Sequence, residues 1–161
     1  MSSQIPRLQD APVVPPVPKT ALAAGTNAPG SLIEALHADP RAFAYILLNV
    51  GDGDTQLLIL PADQTGQRHL VIVDMATTVK LPRLLSALHD AGLIEEPGTP
   101  GQVHLLVATH PHHDHIGGMS DLLDRYTRDG FIDQFWEPGY FYPSPSFHNL
   151  MRRLEGRRDI R

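Results

Sequence analysis

The 161-residue sequence contains no cysteine. This absence excludes a disulfide framework and any metal site built on thiolate ligands. It also fits a reducing compartment, and we expect a cytoplasmic protein.

Long apolar runs are also missing. A membrane-spanning helix needs about 20 consecutive apolar residues, and no stretch of the sequence reaches that length. The N-terminus lacks the basic segment and continuous apolar run of a signal peptide. We therefore expect a soluble protein that makes no use of a membrane.

Dense basic segments are scarce. The formal net charge is -5, and basic pairs occur only at Arg152-Arg153 and Arg157-Arg158, near the end. Strong non-specific binding of nucleic acids requires neutralisation of many phosphates and is not expected here. A phosphate-containing substrate stays compatible with this charge, because bound divalent ions supply positive charge locally.

Two regions differ in composition. Residues 1–30 carry prolines that break helices and central strands, which predicts a proline-rich tail or linker. Such a segment is either mobile or lies across the body or a partner through Val13, Val14 and Val17. Residues 31–161 are long enough for one domain with a sizeable core.

Short elements alternate after residue 30. Apolar residues at helical spacing predict a helix over 81–93, and turn residues at 51–54 predict a hairpin. A serine, Ser144 or Ser146, is the candidate N-cap of the last helix. The predicted order is a helical turn at 31–36, strands at 42–50, 55–60 and 69–74, a helix at 81–93, a strand at 103–109, a helix at 119–126, a strand at 131–136 and a helix at 144–153.

The most informative segment packs five metal-type side chains into six residues, the H-x-H-x-D-H pattern of His110, Pro111, His112, His113, Asp114 and His115. A strand leads into it, and alternate side chains of an extended chain share one side, so His110 and His112 can face a common ion. Asp114 and His115 follow where the backbone bends before two glycines, and they can face a second site. The alternative is a histidine-rich loop without metal, but such a tract would lack this ordered pattern.

The donor types indicate which chemistry the motif supports. Imidazole and carboxylate ligands suit zinc, iron or manganese. Two metals roughly 3.5–4 Å apart form a hydrolytic centre of the two-metal kind.

Thr109 to Gly118, T-H-P-H-H-D-H-I-G-G, resembles the signature of the metallo-β-lactamase superfamily. The 48–54 hairpin and the 71–74 strand lie where that family places comparable elements. In detail the sequence is similar to the branch that contains the metallo-β-lactamase domain of the bacterial DNA-uptake competence channel. Asn49 stands where that branch usually has an aspartate.

This resemblance implies an α/β (α+β) fold, the αββα sandwich, of which residues 31–161 would form the N-terminal half. It implies two divalent ions, most simply zinc, with manganese or iron as alternatives. His110 and His112 would bind the first ion, and Asp114 and His115 the second. Asp74, at a strand end, would hold the metal-binding loop by hydrogen bonds.

The sequence also departs from the family. Members carry a further histidine, a bridging acidic residue and a final histidine downstream, whereas this chain stops at Arg161. We expect these ligands from the missing C-terminal half of the fold, in the same polypeptide or in a complementing chain. His148 is either one of the missing ligands or a helix-surface residue.

The resulting hypothesis is a metal-dependent hydrolase that uses a metal-activated water at a dinuclear site, with Asp114 as the catalytic carboxylate that orients the water. The subfamily resemblance implies a phosphodiester or nucleic-acid substrate; a small-molecule ester, lactone or thioester is the alternative. A different class is a non-catalytic binding or scaffold module with an incomplete metal site. The oligomeric state stays open.

Several other side chains allow two interpretations. The aspartates Asp52 and Asp54 either approach the site or merely form the turn, and His113 should point away from its neighbours. The aromatic residues after the last strand either line a substrate pocket or pack onto the core; they are Trp136, Tyr140, Phe141 and Tyr142.

Overall fold

The computed structural model describes residues 29–161. Residues 1–28 of the predicted tail of residues 1–30 therefore lie outside the described residues. The strands are β1 (Ala44–Leu47), β2 (Thr55–Ile59), β3 (Leu70–Met75), β4 (Val103–Val107) and β5 (Phe135–Trp136). The helices are α1 (Pro29–Ala38), α2 (Lys80–Asp90), α3 (His113–Ile116), α4 (Met119–Arg125) and α5 (Pro145–Glu155). No helix in this part of the chain is long and apolar enough to span a membrane.

The five strands form one sheet in the order β1-β2-β3-β4-β5. The β1, β2 and β3 strands pair antiparallel, which confirms the predicted hairpin. The β3, β4 and β5 strands pair parallel, and α2 connects β3 to β4. Because parallel neighbours end at the same edge, the carboxyl ends of β3 and β4 meet.

One face of the sheet forms the core with the helices. Leu57, Ile72 and Leu106 on the sheet are fully buried, and each such side chain contributes roughly 1.5–3 kcal/mol through its removal from water. On α2 the buried residues are Leu81, Leu85 and Leu88, the spacing expected of a helix with one apolar face. The left-handed Gly92, with a φ of 70°, ends this helix.

The other face of the sheet is apolar but uncovered within residues 29–161. Tyr45, Leu47 and Trp136 are 55%, 59% and 58% exposed. Cross-strand neighbours of these residues are half-buried; they are Leu58, Val71, Val73, Leu105 and Val107. The described fold is mixed α/β, with helices on one face of a sheet as in one half of an αββα sandwich.

The sequence pattern predicted most elements, and the main differences concern four of them. The first strand comprises only Ala44–Leu47, although 42–50 was predicted. The last strand comprises only Phe135–Trp136, although 131–136 was predicted; Ile132 forms an isolated bridge with Val103. The first helix is longer than the predicted turn. The short helix α3 was not predicted, because its four residues are too few to show a helical period.

Arg68 joins three parts of the fold. Its side chain is buried, with the residue 4% exposed. Nη1 donates to the carbonyls of Ala42 at 2.8 Å and Leu60 at 3.1 Å. Nη2 donates to those of Leu36 at 2.7 Å and Asp39 at 2.9 Å. One guanidinium therefore ties the end of α1 to the segments that flank β1 and β2.

Replacing Arg68 by Met should lower the free energy of unfolding by at least about 2 kcal/mol, because buried acceptors that lose their donor cost about 1–3 kcal/mol each. Urea unfolding measures this change. Arg41→Met is the matched control, since the Arg41 side chain is 90% exposed and its ion pair with Asp39 lies at the surface. Equal losses in the two variants would contradict the assigned role of Arg68.

His69 lies between two acceptors. Nδ1 is 2.7 Å from the carbonyl of Gly101, and Nε2 is 3.1 Å from Asp63 Oδ2. An imidazole donates to two acceptors only when both nitrogens carry a proton. Partial burial lowers the pKa of His69, but these hydrogen bonds and the negative charges of Asp63 and Asp133 outweigh it, so the pKa is raised above 6.5.

This raised pKa makes stability depend on pH. The contribution of His69 should be fully present below its unfolded-state pKa of 6.5 and be lost as the pH rises through the higher folded-state pKa. Denaturant midpoints across roughly pH 5 to 8 test this. The His69→Gln variant should lose that part of the pH dependence; an unchanged profile would show that another group is responsible.

Candidate metal centre

The H-x-H-x-D-H segment begins three residues after β4, beside the end of β3. In the parallel register Val73 pairs with Val107, which brings Asp74 next to the chain that leaves β4. This adjacency places a strand-end carboxylate against the start of the motif.

Asp74 is buried, at 1% exposure, and accepts three hydrogen bonds. Thr109 donates from its backbone nitrogen to Oδ1 at 2.8 Å and from its hydroxyl to Oδ2 at 2.6 Å. His115 Nδ1 lies 2.7 Å from the same Oδ2. The buried carboxylate thus fixes both the strand exit and the last histidine of the motif.

The backbone of Asp74 is unusual as well. Its φ of 56° makes it the one residue other than glycine with positive φ among those described. Aspartate tolerates the left-handed region better than most residues, yet the conformation costs free energy and persists where surrounding contacts fix it.

Three predicted ligands converge. His110, His112 and Asp114 each offer a donor atom, and these atoms lie within 4.8 Å of one another. The His110 ring centroid is 4.8 Å from that of His112 and 3.5 Å from that of His115. His110, His112 and Asp114 therefore form one donor group, and His115, whose donor atom groups with those of Asp54 and Asp74, lies beside it.

His115 has one nitrogen engaged and one available. Because Nδ1 bonds to Asp74, Nε2 is the nitrogen left for an ion, and it lies 3.6 Å from Asp114 Oδ2. The donor atoms of Asp54, Asp74 and His115 also group within 4.8 Å. We interpret Asp74 there as the acceptor that orients the imidazole, since its oxygens already hold three hydrogen bonds.

The backbone changes conformation within the motif, between the first and the last of the predicted ligand residues. His112 is extended, with φ -79° and ψ 151°, and is the N-cap residue of α3. His110 and His112 lie in a bend after β4, whereas Asp114 and His115 belong to a helical turn.

The two glycines after the motif provide room for close contacts. A Cβ on Gly117 would lie 2.6 Å from the carbonyl oxygen of His113 and 2.8 Å from its ring. One on Gly118 would lie 2.5 Å from the carbonyl oxygen of Thr77. Side chains at either position would force the helical turn away from its neighbours.

The β1–β2 turn packs directly on the motif. The backbone nitrogen of Asp54 donates to the carbonyl of Asp114 at 3.0 Å, and Ala76 donates to the carbonyl of Asp54 at 3.0 Å. A Cβ on Gly53 would lie 2.3 Å from the Asp114 carbonyl oxygen. Asp54 Oδ2 lies 3.8 Å from His115 Nδ1, so Asp54 approaches the site, whereas Asp52 is exposed.

The remaining candidates lie around this cluster. His148 is exposed on α5 beside Phe141, and it belongs to neither group of potential ligands. His113 Nδ1 is hydrogen-bonded to Ser146 Oγ at 2.7 Å. The ring of Tyr142 contacts that of His112, with centroids 4.7 Å apart. Both contacts join residues about 30 positions apart, and the sequence offered no signal for them.

The family assignment rests on a sequence comparison. The family model of the metallo-beta-lactamase superfamily matches residues 63–147, more than half of the chain. The chain belongs to the metallo-beta-lactamase superfamily. The family expected from the motif is thereby confirmed.

A solved member of this superfamily can be compared with the chain. The metallo beta lactamase from Hirschia baltica is similar at 15% sequence identity with a TM-score of 0.35. The similarity covers 69% of this chain and 42% of that one, so this chain spans less than half of that structure's length. No curated protein matches the sequence.

The residues fit the divalent ions typical of the superfamily. Three imidazoles and the Asp114 carboxylate lie together, and the donor set is the nitrogen and oxygen mixture that zinc, manganese or iron accept. The orientation of His115 by a buried carboxylate is the usual support of a metal-binding imidazole.

Gly53→Ala should displace the metal-binding turn, because its Cβ would overlap the Asp114 carbonyl. We expect a lower unfolding midpoint and zinc affinity reduced by about tenfold or more. Gly51→Ala is the matched control: Gly51 also has positive φ, at 84°, but a Cβ there meets nothing within 4 Å. Calorimetry and zinc titration measure both effects, and equal changes in the two variants would refute a role for Gly53 in packing on Asp114.

Proposed function

We propose that the protein is a metal-dependent hydrolase of the metallo-beta-lactamase superfamily, with phosphodiesters as its substrate class. The observation that supports this most directly is the convergence of donor atoms from His110, His112 and Asp114 within 4.8 Å. A strand end, a bend and one helical turn carry these residues.

Each residue has a proposed part. His110 and His112 bind the first ion, while Asp114 and His115 bind the second. A bound divalent ion lowers the pKa of a water to about 7 and stabilises negative charge that develops on the substrate. Asp114 would also orient the attacking water.

Asp74 would fix the orientation of the proposed metal ligands. Its bond to His115 Nδ1 selects the tautomer in which Nε2 has a free lone pair. Its bonds to Thr109 fix the start of the loop that carries His110. We infer that Asp74 acts through these residues and does not touch the substrate.

The β1–β2 turn supports phosphodiesters as the proposed substrate class. This turn carries the resemblance to the branch with the DNA-uptake domain, and its backbone bonds to Asp114. The net charge of -5 argues against non-specific binding of long nucleic acids, so positive charge for a phosphodiester would come from the bound ions. Esters, lactones and thioesters are the alternative substrates.

The uncovered sheet face supports a further part of the proposal. Leu47 and Trp136 lie on an apolar surface that continues across all five strands. Half of an αββα sandwich presents such a face to the second sheet. We propose that the second sheet covers it and adds the remaining metal ligands, either from the same polypeptide or from a complementing chain.

Metal analysis and hydrolysis assays test the function. With the second sheet present, from the same polypeptide or from a complementing chain, the purified protein should retain zinc, manganese or iron, and chelator should abolish its hydrolysis of a bis-aryl phosphate. Asp114→Ala should abolish turnover and weaken metal binding by more than about 100-fold. This exceeds the loss expected for a residue that only hydrogen-bonds to a metal ligand. Asp121→Ala is the matched control, because Asp121 is an exposed carboxylate on α4.

The outcomes separate the alternatives. Turnover of lactones or thioesters, without turnover of bis-aryl phosphate or single-stranded DNA, would replace the proposed substrate class. Tight metal binding without turnover of any of these would indicate a binding module. A protein that binds no metal and ignores chelator would contradict the hydrolase proposal.

A further inference from the structure

Two consecutive residues of the motif contact a single segment elsewhere in the chain. The His112 ring packs against Tyr142, with centroids 4.7 Å apart and planes inclined by 47°. His113 Nδ1 is hydrogen-bonded to Ser146 Oγ at 2.7 Å. We propose that Tyr142 and Ser146 are positioning residues that hold the His112 imidazole in the orientation needed for metal binding. This inference rests on the proposed metal function.

The segment that carries both residues is firmly attached. Phe147 and Leu150 on α5 are buried, at 8% and 0% exposure. Arg153 on the same helix donates to both oxygens of Asp124 on α4, at 2.7 and 2.6 Å. Because α5 is fixed to the core and to α4, its first turn is a rigid support.

A tight turn links the two positioning residues. Ser144 Oγ accepts from the backbone nitrogen of Phe147 at 3.1 Å and caps α5. The backbone nitrogen of Ser144 donates to the carbonyl of Tyr142 at 2.8 Å. The Tyr142 ring is therefore placed relative to the same helix end that presents Ser146.

His112 needs this support more than its neighbours do. Asp74 bonds to His115, and Thr109 Oγ1 lies 3.2 Å from His110 Nδ1, whereas His112 is exposed. Its imidazole contacts the rings of His110 and Tyr142. Without them, rotation about the side-chain bonds would move the donor atom away from the cluster.

His113 provides the second attachment. It begins α3 directly after His112, so the bond to Ser146 attaches the chain at the point where the bend becomes helical. Gly117 has no side chain, which leaves space for the His113 ring to lie over the helical turn. Ser146 therefore acts on His112 through His113.

Zinc titration with a competing chromophoric chelator tests the proposal. Ser146→Ala should weaken zinc binding by about tenfold, the lower end of the effect of outer residues on a metal site. Ser86→Ala is the matched control, with the same chemical change at an exposed position of α2, away from the motif. It should leave zinc affinity unchanged. Equal losses of affinity in both variants would overturn the proposal.

Tyr142 variants test the ring contact separately. Tyr142→Phe keeps the ring and should bind zinc as the original protein does, whereas Tyr142→Ala should lose about tenfold in affinity. The cobalt-substituted protein adds a spectroscopic measure, because the visible absorption of Co²⁺ reports ligand geometry. A spectrum unchanged by Tyr142→Ala and Ser146→Ala would overturn the proposal.

The metal-free protein distinguishes this proposal from the proposed function. Imidazole NMR signals of His112 should shift or broaden in Ser146→Ala and Tyr142→Ala, and stay in place in Ser86→Ala. Failure of the original protein to bind any metal would defeat the hydrolase function, while these signals would still show whether His112 is held. Unchanged His112 signals in Ser146→Ala and Tyr142→Ala would overturn the positioning role.

Discussion

The site depends on one buried carboxylate. Asp74 is almost inaccessible to water, and an ionised group there is tolerated only with strong donors around it. Thr109 and His115 supply these donors, and each belongs to the segment that carries the motif. The same bonds that stabilise the charge therefore join β3 to the loop after β4. The left-handed backbone of Asp74 is maintained because both strands of this junction are fixed in the sheet.

Close approach of backbones is the second requirement. Gly53, Gly117 and Gly118 each lie so close to a backbone oxygen that a Cβ at that position would overlap it. Main chain therefore packs against the motif from two sides, the β1–β2 turn and the residues after β3, while His112, His113 and Asp114 stay exposed. Backbone groups hold position better than long side chains, since fewer rotatable bonds separate them from the sheet. This explains why glycines follow the motif and also occur in a turn more than 60 residues earlier.

The sequence predicted the elements with strong patterns and the location of the site. Apolar runs bounded by turn residues marked the strands at 55–60 and 69–74, and helical spacing marked the helix at 81–93. The short strand β5 and the single turn of α3 carry too few residues for a period. The contacts of Tyr142 with His112 and of Ser146 with His113 could not be predicted, because they depend on how α5 packs against α3. The sequence allowed Asp54 to be either a turn residue or a site residue. In the structure, the antiparallel register of β1 and β2 places it near His115.

The change from a bend to a helical turn within the motif has a geometric consequence. A strand would set its donors along a line, and a helix would set them along a stripe on its surface. A bend that runs into a helical turn after His112 can instead arrange neighbouring residues around a point. The spacing is then strict, since one residue inserted after His112 would rotate Asp114 and His115 by about 100° around the helix axis.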